Sequence, residues 1–391
     1  MGYHSELMIA EHEGPQLTPV DKNVCADCVF DTALAKVVSR NLTSKTCNYC
    51  GGSSGNTLIA ASFDLIMERI YDSVTKEFGD AQDVNVPWVE GDWFLSQVFT
   101  GEVVSNFDPG WGDELREDIE GAFDPMVHWV NHSDGDWAVS DPSDTLSYGW
   151  EAFKSHVQEK TRYLFLSEPE DEHSSGRPDY IPIANMLDAL GVLCATEGMV
   201  NVVPAGTEFY RVRCVKKTES ISTFDDIGVP NVGQASAGRM NPAGISYLYV
   251  ACDEATAIHE VVDNANRWYV AKFKAKCDIN VIDFTQLPKV PSLFEPELYH
   301  KRHATYFIHK FTKDLIEPVT KDGKEHVDYV PTQIVSEYFR YRFRDASGAG
   351  IVGLKYPSVK NDGGVNLALF SSCNKELENM LELVNIEERS V

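Results

Sequence analysis

The sequence predicts an α+β protein: an N-terminal zinc-binding ribbon, a mainly helical domain, and a C-terminal domain of mixed strands and helices. Three observations predict it. Four cysteines fall in two CxxC pairs near the N-terminus. Apolar residues recur at helical spacing over about residues 57–78. Beyond residue 200, short β-branched and aromatic runs alternate with helical stretches. That last mixture lacks a regular βαβ rhythm, which favours α+β over a doubly wound sheet. At 391 residues the chain is also too long for one ordinary core.

Residues 1–20 have no clear periodicity and read as a flexible tail. Residues 21–55 read as a four-cysteine ribbon. Cys25 and Cys28 form one knuckle, and Cys47 and Cys50 form the second after 18 intervening residues. Each knuckle aims two thiolates at one ion, and a tetrahedral Zn2+ takes four ligands. Four thiolates leave no position for water, so a structural zinc is expected. Gly51 and Gly52 suit the tight turn after the second pair. The other five cysteines are scattered and read as small buried apolar residues.

Residues 56–198 read as an acidic, mainly helical domain. Val29, Ala33, Val37 and Val38 predict a short helix between the knuckles. Ile59, Phe63, Ile66, Ile70, Val74 and Phe78 predict a long one after them. Six of the seven tryptophans, Trp88, Trp93, Trp111, Trp129, Trp137 and Trp150, crowd the next stretch and are expected in the core. Further helices are expected at 150–166 and 182–197, with a polar loop between them.

Charge separates the two halves. Residues 1–200 hold 35 acidic and 11 basic side chains, whereas residues 201–391 hold 25 and 23. So acidic a surface repels phosphate backbones, so nucleic acid is not expected as a partner. No apolar run is long enough to cross a bilayer. The first residues have neither the basic start nor the apolar stretch of a secretory signal. The expected location is therefore the cytoplasm, with reduced thiols.

The C-terminal domain is expected over 199–375, with a helix or tail at 376–391. Strands are expected around 202–215, with a turn at Pro204–Gly206, and at 245–251, 269–274 and 279–283. Helices are expected at 254–265, 298–315 and 332–343. A further run, GIVGLKYPS, a turn with Gly363 and Gly364, and VNLALF close the fold. The central motif is Gly238-Arg239-Met240-Asn241-Pro242-Ala243-Gly244. Its glycines and proline bend the backbone toward a ligand. Arg239 supplies a planar, permanently charged fork suited to phosphate. On the following strand Tyr247 and Tyr249 share a face. On the next helix, counting about 100° per residue, Glu260 lies about 60° from Ala257, at the rim of the apolar stripe, while His259 points to solvent. An arginine, an aromatic face and a rim carboxylate can bind a dinucleotide and stabilise positive charge on its ribose.

This stretch resembles the RES domain. The likeness runs in order through Tyr210-Arg211, the loop at Gly238, Arg239, Asn241 and Gly244, then Tyr249 and Glu260. It ends with Tyr356-Pro357-Ser358 and Gly364, Asn366 and Phe370. Met240 stands where the family's loop carries tryptophan, and residues 285–330 are longer than a minimal RES domain needs. Arg211 and Arg213 share a strand face, and the resemblance favours Arg211. The first half, through its four cysteines, resembles the HEPN/RES N-terminal domain found before RES domains.

The resemblance implies a fold related to the ADP-ribosyltransferases and chemistry on NAD+ at the nicotinamide–ribose bond. It implies Glu260, Arg239 and Tyr249 as catalytic residues, with Arg211, Asn241, Gly244, Ser358 and Asn366 binding the dinucleotide. The implied activity is NAD+ hydrolysis or phosphorolysis by a toxin or defence effector, restrained by its N-terminal half or by an antitoxin or other regulatory protein. The alternative is mono-ADP-ribosylation of a protein. Homo-oligomerisation is left open. Two rivals come from other classes: a non-catalytic zinc-ribbon adaptor, and a HEPN-type ribonuclease built on Arg302 and His309.

Overall fold

The structure is a computed structural model that describes residues 17–84, 86–89, 91–94, 97–132, 142–167, 181–216, 218–262, 266–317, 323 and 325–390. The expected tail up to residue 16, Trp137, and the polar loop from 168 to 180 lie outside the described residues. The chain forms two compact units. One joins Met1–Pro142 with Val290–His303, and the other joins Ser143–Lys289 with Ala304–Val391. Among the described residues no helix is long and apolar enough to cross a membrane.

In the first unit Asn23–Cys25 (β1) leads into the first knuckle, followed by helix Thr32–Arg40 (α1). Asp31 caps α1 by accepting from the amides of Ala33 and Leu34. Ala60–Ser62 (β2) pairs antiparallel with β1. The long helix is Phe63–Glu77 (α2), shorter than the apolar stripe suggests. Ser62 caps it by accepting from Asp64 N, so Ile59 precedes the helix, and Phe78 begins strand Phe78–Asp80 (β3). A hairpin of Trp88–Val89 (β4) and Asp92–Trp93 (β5) follows. Helices Thr100–Phe107 (α3) and Asp113–Ala122 (α4) come next, and Trp129–Asn131 (β6) pairs with β3.

The buried face of α2 (Phe63, Ile66, Ile70, Val74) packs with Val103, Phe107, Leu115, Ile119 and Trp129. Fully burying each such side chain is worth about 1.5–3 kcal/mol. Trp111, Trp129 and, in the second unit, Trp150 are core residues as expected, but Trp88 is 58% exposed. Its strand is only two residues long and, among the described residues, pairs only with β5. Part of the long 285–330 segment belongs to this unit. Phe294 is buried against Phe107 and Trp111, its carbonyl accepts from Arg69 Nε at 3.0 Å, and Ser292 donates to Asp31 at 2.8 Å.

The second unit begins with Pro142–Glu159 (α5) and Met186–Thr196 (α6). These helices were expected in the N-terminal domain, with the boundary at 198–199. In the structure Trp150, Phe153, Leu187, Leu190 and Cys194 share a core with Ile282, Leu354 and Phe370, and the two compact units divide after Pro142. Then come Val200–Val203 (β7), Glu208–Cys214 (β8), Phe224–Ile227 (α7), Tyr247–Ala251 (β9), Glu254–Val261 (α8), Arg267–Ala275 (β10) and Ile279–Asp283 (β11). They are followed by Tyr299–Ile316 (α9), Glu325–Asp328 (α10), Val330–Tyr341 (α11), Gly353–Pro357 (β12), Val365–Phe370 (β13), Asn374–Met380 (α12) and Leu381–Ser390 (β14).

The strands form one eight-stranded sheet in the order β14-β10-β8-β9-β13-β12-β11-β7, antiparallel except at β11–β12. Period-2 alternation serves both faces. Tyr247, Ala368 and Phe370 face one core with α5, α6 and α11, while Leu248, Val250, Leu367 and Leu369 face another with Phe224, Ile227 and Leu377. The C-terminus is not a tail. After α12, β14 pairs with β10 from Leu381↔Ala275 to Ser390↔Arg267, covering an edge that would otherwise expose its amides.

Candidate active site

The sheet has a weak seam. β8 pairs with β10 over seven residues, yet it meets β9 only at Tyr210↔Ala251. Where the two strands part, a cavity of about 760 Å3 opens. Its walls are Tyr210–Cys214 from β8, Tyr249–Ala251 from β9, Glu260 from α8, Gly238 and Arg239 from the central loop, and Tyr356, Lys360 and Asn366 near the β12–β13 turn. Ile316 and Tyr329 also line it. Three arginines, a lysine and one carboxylate share a mostly apolar lining that includes the rings of Tyr210, Tyr249, Tyr329 and Tyr356. That balance suits an anion with flat rings, within a chain whose net charge is −26.

Arg211 spans the seam. Its Nε donates to Ile227 O at 2.7 Å and its Nη1 to Tyr249 O at 2.8 Å, replacing the ladder bond that β8 and β9 do not make. Burial and the neighbouring Arg213 lower its pKa to about 10, so it stays charged near neutrality. Its Nη2 has no partner among the described residues. Arg213 also lines the cavity, but it is exposed, bonds to Asp226 O, and pairs with Glu219 at 3.0 Å. Arg239 spends both Nη1 hydrogens on Leu315 O (2.9 Å) and Glu317 O (2.5 Å), and its guanidinium lies over the Tyr329 ring. Its Nε and Nη2 remain without partners among the described residues. That edge has the fork geometry that grips a phosphate.

Glu260 sits near the end of α8, a helix capped by Asp253, which accepts from Thr256 N at 2.8 Å. A side chain at Gly364 would strike Thr256 Oγ1, so the bare turn lets α8 lie close to the β12–β13 connection. There Ser358 Oγ donates to Glu260 Oε1 at 2.6 Å and Asn366 Nδ2 donates to the same oxygen at 2.7 Å. Lys360 Nζ donates to the Glu260 carbonyl at 2.8 Å. One carboxylate oxygen is thus held by two donors, while Oε2 has no partner among the described residues. His259 is exposed, as its helical angle predicts.

The central loop holds its own shape. Tyr249 Oη donates to Asn241 Oδ1 at 2.7 Å and accepts from Met240 N at 3.1 Å. Burial pushes the Tyr249 phenol up, so it stays protonated. Asn241, expected to contact the ligand, instead donates to Ser236 O, Pro242 O and Ile245 O from within the loop. Every one of its polar positions is engaged, because it is 3% exposed and a buried amide needs partners. Gly244 likewise does not line the cavity. It adopts φ +86 and donates to Ala235 O, closing the bend. Met240 points into the hydrophobic core, its Sδ 3.4 Å from Ser336 Oγ, so it does not line the cavity either.

Of the residues singled out in the sequence, Glu260, Arg239, Tyr249, Arg211 and Asn366 line one cavity. Ser358 stands behind Glu260, while Asn241 and Gly244 shape the loop. Tyr356 opens the Tyr356-Pro357-Ser358 match and Lys360 lies two residues beyond it, which was the signal available for them. Tyr329 and Ile316 carried no such signal, because they come from a segment with no motif. Arg302 and His309, the ribonuclease pair, engage backbone carbonyls: Arg302 Nη1 donates to Pro291 O, and His309 Nε2 lies 2.9 Å from Pro288 O.

A second cluster lies in the first unit. The sulfur atoms of Cys25, Cys28, Cys47 and Cys50 lie within 4.8 Å of one another. Cys25–Cys28 measures 3.5 Å, while Cys25–Cys50 and Cys28–Cys47 are each 3.8 Å. A tetrahedron with Zn–S bonds of about 2.3 Å has S···S edges of about 3.8 Å, so the donor set fits such an ion. Gly51 takes φ +67 after the second knuckle, the turn expected of it. Burial pushes the Cys25 and Cys28 thiols up. On Cys47 burial is outweighed by the amides of Cys50, Tyr49 and Cys25, which bring it down to about 7.

Comparison with known families matches both halves. The family described as HEPN/RES N-terminal domain 1 matches residues 40–171, and the RES domain matches residues 208–387. The RES match ends inside β14, in keeping with that strand's place in the sheet. No curated protein matches the chain. The chain therefore carries a HEPN/RES N-terminal domain ahead of a RES domain.

Proposed function

We propose that the RES domain cleaves the nicotinamide–ribose bond of NAD+ in the cavity between β8 and β9, on a fold of ADP-ribosyltransferase type. The observation that carries this reading is the Glu260 carboxylate, with Oε1 held by Ser358 and Asn366 and Oε2 unpartnered beside a cluster of cationic side chains. As the bond breaks, the electron pair leaves with nicotinamide, which departs neutral, and positive charge spreads over the ribose C1′ and ring oxygen. A fixed carboxylate facing that carbon stabilises the charge without having to reorganise. Arg211 and Arg239 take the pyrophosphate through their unpartnered N–H groups, Asn366 meets the ribose, and Tyr249 presents a ring to the nicotinamide or ribose. Ser358, Asn241 and Gly244 act through the residues they hold.

The acceptor sets the product. Water gives ADP-ribose and a proton, phosphate gives a phosphorylated ADP-ribose, and a protein side chain gives mono-ADP-ribosylation. Purified protein incubated with NAD+, with and without phosphate, and read by mass spectrometry distinguishes these outcomes. Intact NAD+ in every arm rejects the proposal. Such turnover drains a cell, so the proposal includes a toxin or defence role in the cytoplasm with restraint by the acidic N-terminal domain or by an antitoxin. Deleting residues 1–142 tests the first source of restraint if the remainder folds. The four-cysteine cluster we read as a structural Zn2+ site, in which the ion ties the two knuckles together and takes no part in the reaction.

A further inference from the structure

We infer that Gln333, with Thr332, is a positioning residue that sets the shape of the Gly238–Asn241 loop and through it the placement of Arg239. Helix α11 presents Thr332, Gln333 and Ser336 at i, i+1 and i+4, and all three are buried. Together they engage every residue of the loop. Gln333 Nε2 donates to Gly238 O at 2.8 Å and to Asn241 O at 3.1 Å. Thr332 Oγ1 donates to Arg239 O at 2.5 Å, and Ser336 Oγ, which donates to Thr332 O at 2.9 Å, lies 3.4 Å from Met240 Sδ.

The arrangement is specific to a tight turn. Gly238 N already donates to Asn241 O at 2.9 Å, so the two residues that Gln333 bridges are the two that close the loop. Gly238 is packed closely against the side chains that hold the loop. A Cβ on Gly238 would stand 2.5 Å from Asn241 Oδ1 and 2.8 Å from Tyr249 Oη. With its backbone clamped by α11 and its Nη1 clamped at the end of α9, Arg239 keeps only its Nε–Nη2 edge for a ligand. Gln333 is 7% exposed. An amide buried there is costly unless its donors are used, and here both are spent on one turn.

The effect on NAD+ rests on the reading above, whereas the effect on the loop does not, and the test separates them. Full-length Gln333→Met keeps the side-chain size and removes both donors. Amides of residues 235–244 are expected to exchange with deuterium about tenfold faster, with those of β13 unchanged. The KM for NAD+ is expected to rise about tenfold while kcat stays within about twofold, the pattern of lost binding rather than lost chemistry. In an Arg239→Ala background the same change should add nothing to KM. Wild-type loop exchange, or an equal added KM penalty in the Arg239→Ala background, overturns the inference. If the methionine variant does not fold, Thr332→Val removes the donor to Arg239 O and carries the same test. If the wild type leaves NAD+ intact, the proposed function falls, and loop exchange alone decides the role of Gln333.

Discussion

The four-cysteine cluster and the arginine-lined cavity both hold charge-bearing groups close together, but they do so by different means. The sulfurs sit on two short knuckles, Cys25–Cys28 and Cys47–Cys50, closed by local turns and by one three-residue strand pairing. The cavity draws on β8, β9, α8, the Gly238 loop and the β12–β13 turn, from Tyr210 to Asn366. In the cluster, chain spacing nearly dictates the geometry. In the cavity, the geometry exists only once the sheet has formed. The two should therefore fail differently. Losing a cysteine should remove stability from the first unit, whereas losing a cavity residue should remove rate or affinity and leave the fold standing.

The sharpest test of that contrast is Cys25→Ser. If a metal holds the knuckles, the variant should lose bound zinc and most of the first unit's folding free energy, about 5 kcal/mol or more. Metal analysis and denaturant melts measure this, and wild-type stability after zinc removal would break the comparison. Next in size is Glu260→Gln. It should lower NAD+ cleavage by about 10²–10³ with a melting temperature near wild type. A matching loss of stability would mean that the carboxylate is a structural group.

Arg211→Lys should come third, because one ammonium cannot reach both Ile227 O and Tyr249 O as the fork does. We expect a loss of about 1–3 kcal/mol, shared between NAD+ affinity and stability, read from KM and a thermal melt. This residue sharpens the comparison, since it belongs to the cavity and to the seam of the sheet at once. The smallest effect is expected for Ser358→Ala. Asn366 would still hold Glu260 Oε1, so kcat should fall only about tenfold with KM unchanged, and an unchanged kcat would remove Ser358 from the site.

Several features were legible before any coordinates. The helical faces of α2 and α8 follow from 3.6-residue periodicity, and the half-buried Glu260 beside the exposed His259 follows from angle alone. The ordered likeness from Tyr210 to Phe370 located most of the cavity. Other features were not. Nothing local marks Gln333, Tyr329 or Ile316, since each is one ordinary residue whose importance lies in what the fold brings beside it. Asn241 matched a motif, but a motif does not say whether an amide faces a ligand or its own loop. The extent of α2 was misjudged because a three-residue strand and the Ser62 cap interrupt a stripe that continues on either side.

By itself the sequence determined the zinc-type knuckles, the division into an acidic half and a near-neutral half, and the RES identity of the C-terminal domain. It did so because spacing, charge and ordered motifs are properties of the chain. The tertiary structure alone decided four things: that α5 and α6 join the C-terminal core, that residues 290–303 join the N-terminal unit, that β14 closes a sheet edge, and that Ser358 and Asn366 meet on one oxygen of Glu260. Each depends on which distant segments pack or pair. A period-2 or period-3.6 pattern states which face is buried and leaves open what buries it.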